Sequence, residues 1–343
     1  IARAFQSSPS IIVFDEPTSA LSREETDNLF TIIRRLKTQG VGIVYITHRL
    51  EEVPEIADRV TIMRDGKVVN TTSGAQITIP WIVDTMTGLS EQERYPRVEH
   101  EIRDEKLLDV RNISMDDRVR NVSFSVRRGE ILGITGFVGA GKTELARILF
   151  GADMPDSGEI YLEGKELSLR NPDDAIKQGI ALIPEDRRND GLVTPRRLNE
   201  NLTLPSIGQI TRTGGVLDMA KELEISNQYI ENLSIVTPSA HQRVKYLSGG
   251  NQQKVVVAKW VNANAKVFIF DEATRGIDVR AKAEIYRIMG DLAKKGAAVI
   301  NISMEFSEVL GVSDRILVMH KGRITSEMPR EEASLDTLYT AAG

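Results

Sequence analysis

One block of this chain occurs twice at a fixed spacing of 256 residues, and that repeat limits the possible folds more than any other feature. Ile11 to Leu21 (IIVFDEPTSAL) returns as Val267 to Ile277 (VFIFDEATRGI), and Ile46 to Val53 (ITHRLEEV) returns as Ile302 to Val309 (ISMEFSEV). The pairs Asp58-Arg59 and Asp314-Arg315 and the turn glycines Gly66 and Gly322 keep the same offset without an insertion. A long period in 343 residues marks a duplicated domain, so a feature present in only one copy bears on function. The largest such feature is a glycine loop, Gly136-Phe137-Val138-Gly139-Ala140-Gly141-Lys142-Thr143, which occurs once. By the same offset the first copy's loop belongs roughly 120 residues ahead of Ile1, so the sequence is expected to be a fragment of a longer protein.

Ahead of the loop, the apolar run from Glu130 to Ile134 suits a buried strand, and Glu144 to Phe150 suits a helix. Strand, glycine loop and helix together form the setting that a phosphate-binding loop needs. Glycines let backbone N–H groups turn inward on a polyphosphate, and the helix N-terminus adds partial positive charge. In that setting Lys142 holds the β and γ phosphates and Thr143 ligates Mg²⁺, so a polyphosphate with Mg²⁺ is the expected ligand, with Glu144 opening the helix beside them.

A second marker, Leu247 to Lys254 (LSGGNQQK), leads into a helix expected at Val255 to Asn262. A serine hydroxyl and two glycines just before a helix make an anion-binding N-terminus, although Ser-Gly-Gly alone is also a common turn. The strand expected at Lys266 to Phe270 delivers Asp271 and Glu272 at its C-terminal end, where α/β sheets place ligands. There Asp271 orients Mg²⁺ through its water shell and Glu272 polarises an attacking water. Two solvated acids capping a helix are the plainer alternative.

The domains are read as 1–90, the C-terminal part of the first copy; 91–106, a linker of turn and charged residues around Pro96; and 107–343, a complete second copy. Leu107 to Val110 and Val122 to Val126 suit strands. Alternating strands and helices argue for a mainly parallel sheet with helices on both faces, and Asn199 to Gln253 reads as an inserted helical subdomain. The chain has no cysteine, which excludes a disulfide framework, and its net charge of −5 gives no general attraction for nucleic acid. No apolar stretch approaches a membrane span, so any membrane role has to come through a partner.

On these motifs the chain resembles an ATP-binding subunit of an ABC transporter. More narrowly, LSGGNQQK, PEDRRNDGL (Pro184 to Leu192) and DEATRGID (Asp271 to Asp278) resemble the tandem-cassette ATPases of bacterial ribose, galactose and xylose importers. The resemblance implies a P-loop NTPase of the α/β class, with a mainly parallel sheet, an antiparallel β subdomain and a helical subdomain. It implies ATP hydrolysis at composite sites, each formed by one cassette's phosphate loop facing the other's signature serine, with both cassettes in one full-length chain. It also implies a peripheral seat on the cytoplasmic face of the inner membrane, on transmembrane permease subunits fed by an extracytoplasmic sugar-binding protein, with no nucleic acid partner. Residue by residue, Gly136 to Thr143 match the Walker A loop, Ser248, Gly249, Gly250 and Gln252 the signature, Asp271 and Glu272 the Walker B end, and Gly276 to Asp278 the loop that crosses between cassettes. In the first copy Asp15 and Glu16 match Walker B, Ser19 to Ser22 the crossing loop, and His48 the switch histidine that senses the γ-phosphate.

The second copy departs from that pattern. Met304 stands at the switch position, where a thioether neither donates a proton nor bonds phosphate strongly. Glu185 stands where the family places a magnesium-coupling glutamine, and its charge is expected to repel the γ-phosphate. Two unequal sites follow: an efficient one using Asp15, Glu16 and His48 with Ser248 opposite, and a weaker one around Lys142. No adenine-stacking aromatic is evident: Phe124 suits the core, and Met115 lies nearer the expected place. Arg187-Arg188 and Arg196-Arg197 read either as a solvated cluster or, by resemblance, as part of the permease-facing surface. His100, His241 and His320 have no metal-ligand spacing and are assigned no role. A regulatory module that binds nucleotide with little turnover, and an importer of a non-sugar solute, stay open. An ABC ATPase of DNA repair or translation is disfavoured by the lack of coiled-coil insertions and basic arms.

Overall fold

The computed structural model describes residues 9–18, 23–47, 49–64 and 66–343, with the side chains of 23 and 24 set aside. The chain divides into two units, Ile1–Glu91 and Gln92–Gly343.

In the first unit β1 (Ile11–Asp15) pairs in parallel with β2 (Gly42–Ile46), and β3 (Arg59–Arg64) pairs antiparallel with β4 (Lys67–Ser73). The helix Arg23–Thr38 presents Leu29, Phe30 and Ile33 to Ile12 and Phe14, the inward residues of β1. The helix Ile79–Thr87 begins where Thr78 Oγ1 accepts the Trp81 N–H, with Pro80 in its first turn, and stops at Gly88 (φ 68°).

The second unit opens with β5 (Lys106–Met115), β6 (Val119–Arg127), β7 (Ile131–Thr135), β8 (Ser157–Leu162) and β9 (Lys165–Glu166). It continues with β10 (Ile180–Ile183), β11 (Val267–Asp271), β12 (Ala298–Ile302), β13 (Arg315–His320) and β14 (Arg323–Pro329). Six of these strands form one sheet in the order β10-β11-β12-β7-β13-β14, parallel up to the β13–β14 hairpin; β6-β5-β8-β9 form a separate antiparallel sheet. Every residue of β7, β11 and β12 is buried, as expected of parallel strands covered on both faces. The strand order places the loop after β7 beside the C-terminal ends of β12 and β11, the crevice where such sheets bind ligands. A helical region contains Leu198–Thr203, Met219–Asn232 and Gly249–Asn262, and its buried Glu222 accepts from Asn199 Nδ2 (2.8 Å) and Thr203 Oγ1 (3.1 Å).

The repeat in sequence is a repeat in backbone. β1 to β4 map onto β11 to β14 at the same offset, the helix Arg23–Thr38 maps onto Val279–Lys294, and the register irregularity at Ile62/Met63 recurs at Val318/Met319. In the second unit β7 fills the space between β12 and β13. Among the described residues no strand does so between β2 and β3, and a cavity of about 770 Å³ is lined there by Ile43, Tyr45, Thr47, Val60 and Met63.

The segment expected as a linker, 91–106, is no free tether beyond its first residue. Tyr95 packs on Tyr286 with ring centres 5.8 Å apart, and Val98 fills the space left by Gly290, where a Cβ would come within 2.6 Å. His100 Nε2 bonds Asp314 Oδ2 at 2.9 Å, while Arg103 N–H donates to Arg128 O. Turn and charged residues announce irregular backbone; the grooves that receive it come from helices far along the chain. No helix of the described residues is long and apolar enough to cross a membrane.

Candidate nucleotide site

Two glycines of the loop after β7 hold places that admit no side chain. A Cβ on Gly136 (φ 148°) would stand 2.2 Å from Met319 O, and one on Gly141 (φ 95°) 2.1 Å from Arg118 O. This tight backbone turns Lys142 inward as the helix Lys142–Leu149 begins. The Lys142 ammonium donates to Gly136 O (2.7 Å) and Phe137 O (3.1 Å), and burial lowers its pKa against the pull of Glu272, Asp271 and Glu144. Gly139 has open space around it, Ala140 is buried, Val138 projects into solvent, and half-buried Glu144 flanks the loop. The exposed Phe137 ring meets Phe306 (5.7 Å) and Tyr339 (6.3 Å).

At the end of β11, Thr143 Oγ1 lies 3.3 Å from Asp271 Oδ1. Asp271 and Glu272 are buried, and burial pushes their carboxyls up to about 6 and about 7. For Asp271 the Thr143 hydroxyl opposes that rise, and Glu185 adds to it; for Glu272 the Lys142 ammonium opposes it. Glu272 holds φ 48° while its N–H donates to Ile302 O (2.9 Å); the Met304 N–H faces its carboxylate, and Oε1 is buried without a protein partner. Buried acids held toward neutrality, one carboxylate oxygen unmatched and an ammonium satisfied only by loop carbonyls make a corner suited to a polyphosphate with a divalent cation.

The signature segment is a helix start. Ser248 Oγ accepts from Asn251 N (3.4 Å) and Nδ2 (2.9 Å), so the helix begins at Gly249, six residues ahead of the expected Val255. Gly249 and Gly250 abut Arg187 and Ala281, where a Cβ would come within 2.7 and 2.6 Å. Buried Gln252 donates to Val244 O (3.0 Å) and accepts from Arg187 Nε (3.4 Å). These bonds run to Asn251, Val244 and Arg187, not to the phosphate loop, and Ser248 is exposed. Asp278 of the expected crossing loop caps the helix Val279–Lys294, accepting from Ala281 N at 3.0 Å.

The family model for the ABC transporter matches residues 119–275. Over 342 residues the chain is 47% identical to a ribose import ATP-binding protein of Rubrobacter xylanophilus and 44% identical to one of Bacillus subtilis; it covers 68% and 69% of their lengths and is itself covered in full. The chain belongs to the ABC transporter ATPases. Its full length also aligns, at 46% identity over 352 residues, with 69% of a xylose import ATP-binding protein of Thermoanaerobacter pseudethanolicus. Among solved structures, a nucleotide-free ATP-binding cassette from an ABC transporter shares the fold, with a TM-score of 0.57 at 23% identity over 68% of this chain and 95% of that one.

Three expectations change around the cassette's site. Glu185 does line the same cavity as Thr143 and Asp271, of about 650 Å³, but its carboxylate is ion-paired with Arg275, so it presents less negative charge than its sequence position suggests. The partner lies 90 residues away along the chain, and nothing local signals it. Arg187 is not a solvated cation: it is half-buried between Gln252 and the Arg275 carbonyl, and burial lowers its pKa, whereas Arg188, Arg196 and Arg197 are exposed. Met115, expected nearer the base, is buried and offers it no open face, while Phe124 fills the core as expected.

In the first copy Asp15 ends β1 and is exposed, and Glu16 repeats the Glu272 turn with φ 44° and its N–H on Ile46 O (2.9 Å). His48 and Ser19 to Ser22 lie outside the described residues.

Proposed function

We propose that this chain is part of the ATP-hydrolysing subunit that energises import of ribose or a related monosaccharide through a transmembrane permease. It sits peripherally on the cytoplasmic face of the plasma membrane and meets an extracytoplasmic sugar-binding protein only through the permease. Relatives named for ribose and xylose import, aligned over the whole of this chain, support the sugar class. The observation that carries the nucleotide reading is the corner formed by the buried Lys142 ammonium, the Thr143 hydroxyl and the Asp271 carboxylate at the C-terminal ends of the central strands.

In this reading Lys142 exchanges its loop carbonyls for phosphate oxygens, and the N–H groups of Gly139 to Thr143 orient the phosphates. Thr143 and Asp271 here, and Asp15 in the first cassette, would hold Mg²⁺, which would supply positive charge to the phosphate oxygens. Glu272 and Glu16 receive the proton of the attacking water. Ser248 serves the phosphate loop of the other cassette. The second site is the weaker one, because Met304 offers Glu272 only its backbone N–H and brings no imidazole to the phosphate.

The test is calorimetric titration of Mg-ATP into this chain and its Lys142→Ala variant, followed by ribose uptake into liposomes carrying the full-length ATPase with its permease. Binding that Lys142→Ala abolishes, together with ATP-dependent uptake, is the expected result. No binding sinks the nucleotide assignment, binding without phosphate release favours a nucleotide-controlled switch, and hydrolysis without ribose uptake points to another solute.

A further inference from the structure

A buried glutamate stands at the same place in both copies, inside the repeated block that begins at Ile46 and Ile302, with no role assigned so far. Glu52 and Glu308 are 4% and 1% exposed. Each lies four residues beyond the switch position, occupied by His48 in one copy and Met304 in the other. Burying a carboxylate is costly, and a packing role would be met by an apolar side chain of the same size. The neighbouring positions differ between the copies, Tyr45 against Asn301, Thr47 against Ser303 and Arg49 against Glu305, yet the glutamate is the same. So is the threonine two residues beyond the catalytic acid, Thr18 and Thr274, buried in both.

The contacts show what the glutamate joins. In the second copy Glu308 Oε2 accepts from Thr274 Oγ1 (2.8 Å) and from Ser303 Oγ (3.2 Å), the residue just before Met304. The Ser303 carbonyl accepts from Thr135 Oγ1 (2.8 Å), the last residue before the phosphate loop. One carboxylate thus connects the turn after Glu272, the switch segment and, through Ser303, the root of the phosphate loop. In the first copy Glu52 Oε2 accepts from Tyr45 Oη (2.9 Å) and Thr47 Oγ1 (3.0 Å), and Oε1 lies 3.3 Å from Arg49 Nε. Arg49 Nη1 continues to the Thr18 carbonyl at 3.3 Å, so the switch segment again reaches the turn after the Asp-Glu pair. The residues on either side of position 48 are both held by the one glutamate.

We propose that Glu52 and Glu308 are positioning residues, which fix the switch segment against the turn that follows the catalytic Asp-Glu pair and so set how the switch residue meets the nucleotide. The proposal rests on the ATPase reading above. Chemically it needs a hydrogen-bond acceptor at Oε2 in both copies; in the first the charge facing the half-exposed Arg49 adds only a small contribution. Misplacing a catalytic group by about 1 Å costs on the order of 100-fold in rate, so loss of the clamp is expected to act on turnover more than on nucleotide affinity.

The test uses the full-length ATPase with its permease, wild type against Glu52→Ala, Glu52→Gln, His48→Ala and the double variant Glu52→Ala/His48→Ala. Phosphate release as a function of ATP, nucleotide affinity and melting temperature are measured on each. Glu52→Ala is expected to lower kcat at least tenfold with KM within about twofold, and Glu52→Gln to recover most of the loss because its amide oxygen still accepts from Tyr45 and Thr47. The double variant should be no slower than His48→Ala alone, since Glu52 acts through that residue. Additive losses, or a kcat loss that Glu52→Gln fails to recover and that tracks a lowered melting temperature, would overturn the proposal, as would wild-type turnover in Glu52→Ala. Absence of nucleotide binding in wild type would instead reject the underlying ATPase reading.

Discussion

β1 and β11 end in the same Asp-Glu pair, and the backbone around the two pairs is the same: Glu16 and Glu272 hold φ 44° and 48°, and each donates its N–H to the neighbouring strand at 2.9 Å. The side chains meet different surroundings. Asp271 and Glu272 are buried beside Lys142 and Thr143, which raises their carboxyls; Asp15 and Glu16 face solvent, and the described residues around them include no phosphate loop. A strand and its terminal turn are therefore fixed by local sequence, whereas the burial of the groups they carry depends on what the sheet places alongside. The glutamate beyond the switch position shows the same division. Glu52 faces the cation Arg49, while Glu308 has Glu305 at that place, and burial raises its pKa against the opposing charge of Lys282.

The strongest way to break this comparison is to remove the glutamate proposed as catalytic in each copy in turn. In the full-length ATPase with its permease, Glu16→Gln is expected to lower phosphate release about 100-fold or more, and Glu272→Gln only a few-fold. Equal losses would mean that Met304 does not weaken the second site.

A second test acts on the loop that only one copy supplies here. Gly141→Ala forces a side chain onto the Arg118 carbonyl at a left-handed backbone position, a strain of about 1–3 kcal/mol, and should reduce Mg-ATP affinity of this chain tenfold or more by calorimetry. Unchanged affinity would show that the backbone cradle is not what holds the nucleotide.

The third follows from the raised carboxyls of the second copy. Asp271 rises from 3.8 to about 6 and Glu272 from 4.5 to about 7, so the folded state binds these protons more tightly than the unfolded chain does. Their contribution to stability is fully present below about pH 4 and is lost as pH rises through 6 and 7, on the order of 3 kcal/mol for each group. Urea unfolding followed through Trp260 in a Trp81→Phe background should show this decline, and Asp271→Asn/Glu272→Gln should flatten it. An undiminished pH slope in the double variant would remove burial as its cause.

The smallest effect concerns His100, whose bond to Asp314 raises its pKa above the ordinary 6.5. Its stabilisation is full below pH 6.5 and disappears as pH rises through the folded value. The wild-type advantage over His100→Gln, about 1–2 kcal/mol in urea at pH 5.5, should therefore vanish in alkaline buffer. A constant advantage would make the bond to Asp314 a neutral one.

Much of the fold could be read from local pattern. The runs at Ile11, Val267 and Ile131 are short, apolar and bounded by turn residues, and each is a strand; the two helices expected from Glu144 and Val255 exist but start earlier, at Lys142 and Gly249. Expected boundaries moved where a side chain capped earlier than the apolar pattern began, as Ser248 does. What could not be read was long-range pairing: Arg275 with Glu185, Arg187 with Gln252, His100 with Asp314, Glu308 with Thr274. A charged residue reads as solvated until the element that covers it is known.

By itself the sequence determined the duplication, the parallel-sheet class and the phosphate loop with its acidic partners, because glycine conformation, helix capping and hydrophobic period act over a few residues. Only the tertiary structure decided that Asp271 and Glu272 are buried acids with raised pKa values, that Glu185 is ion-paired with Arg275, that the segment after Glu91 is docked, and that Glu52 and Glu308 occupy matching junctions. Desolvation and electrostatic pairing are properties of the surroundings, and those surroundings come together only when strands and helices distant in sequence pack against each other.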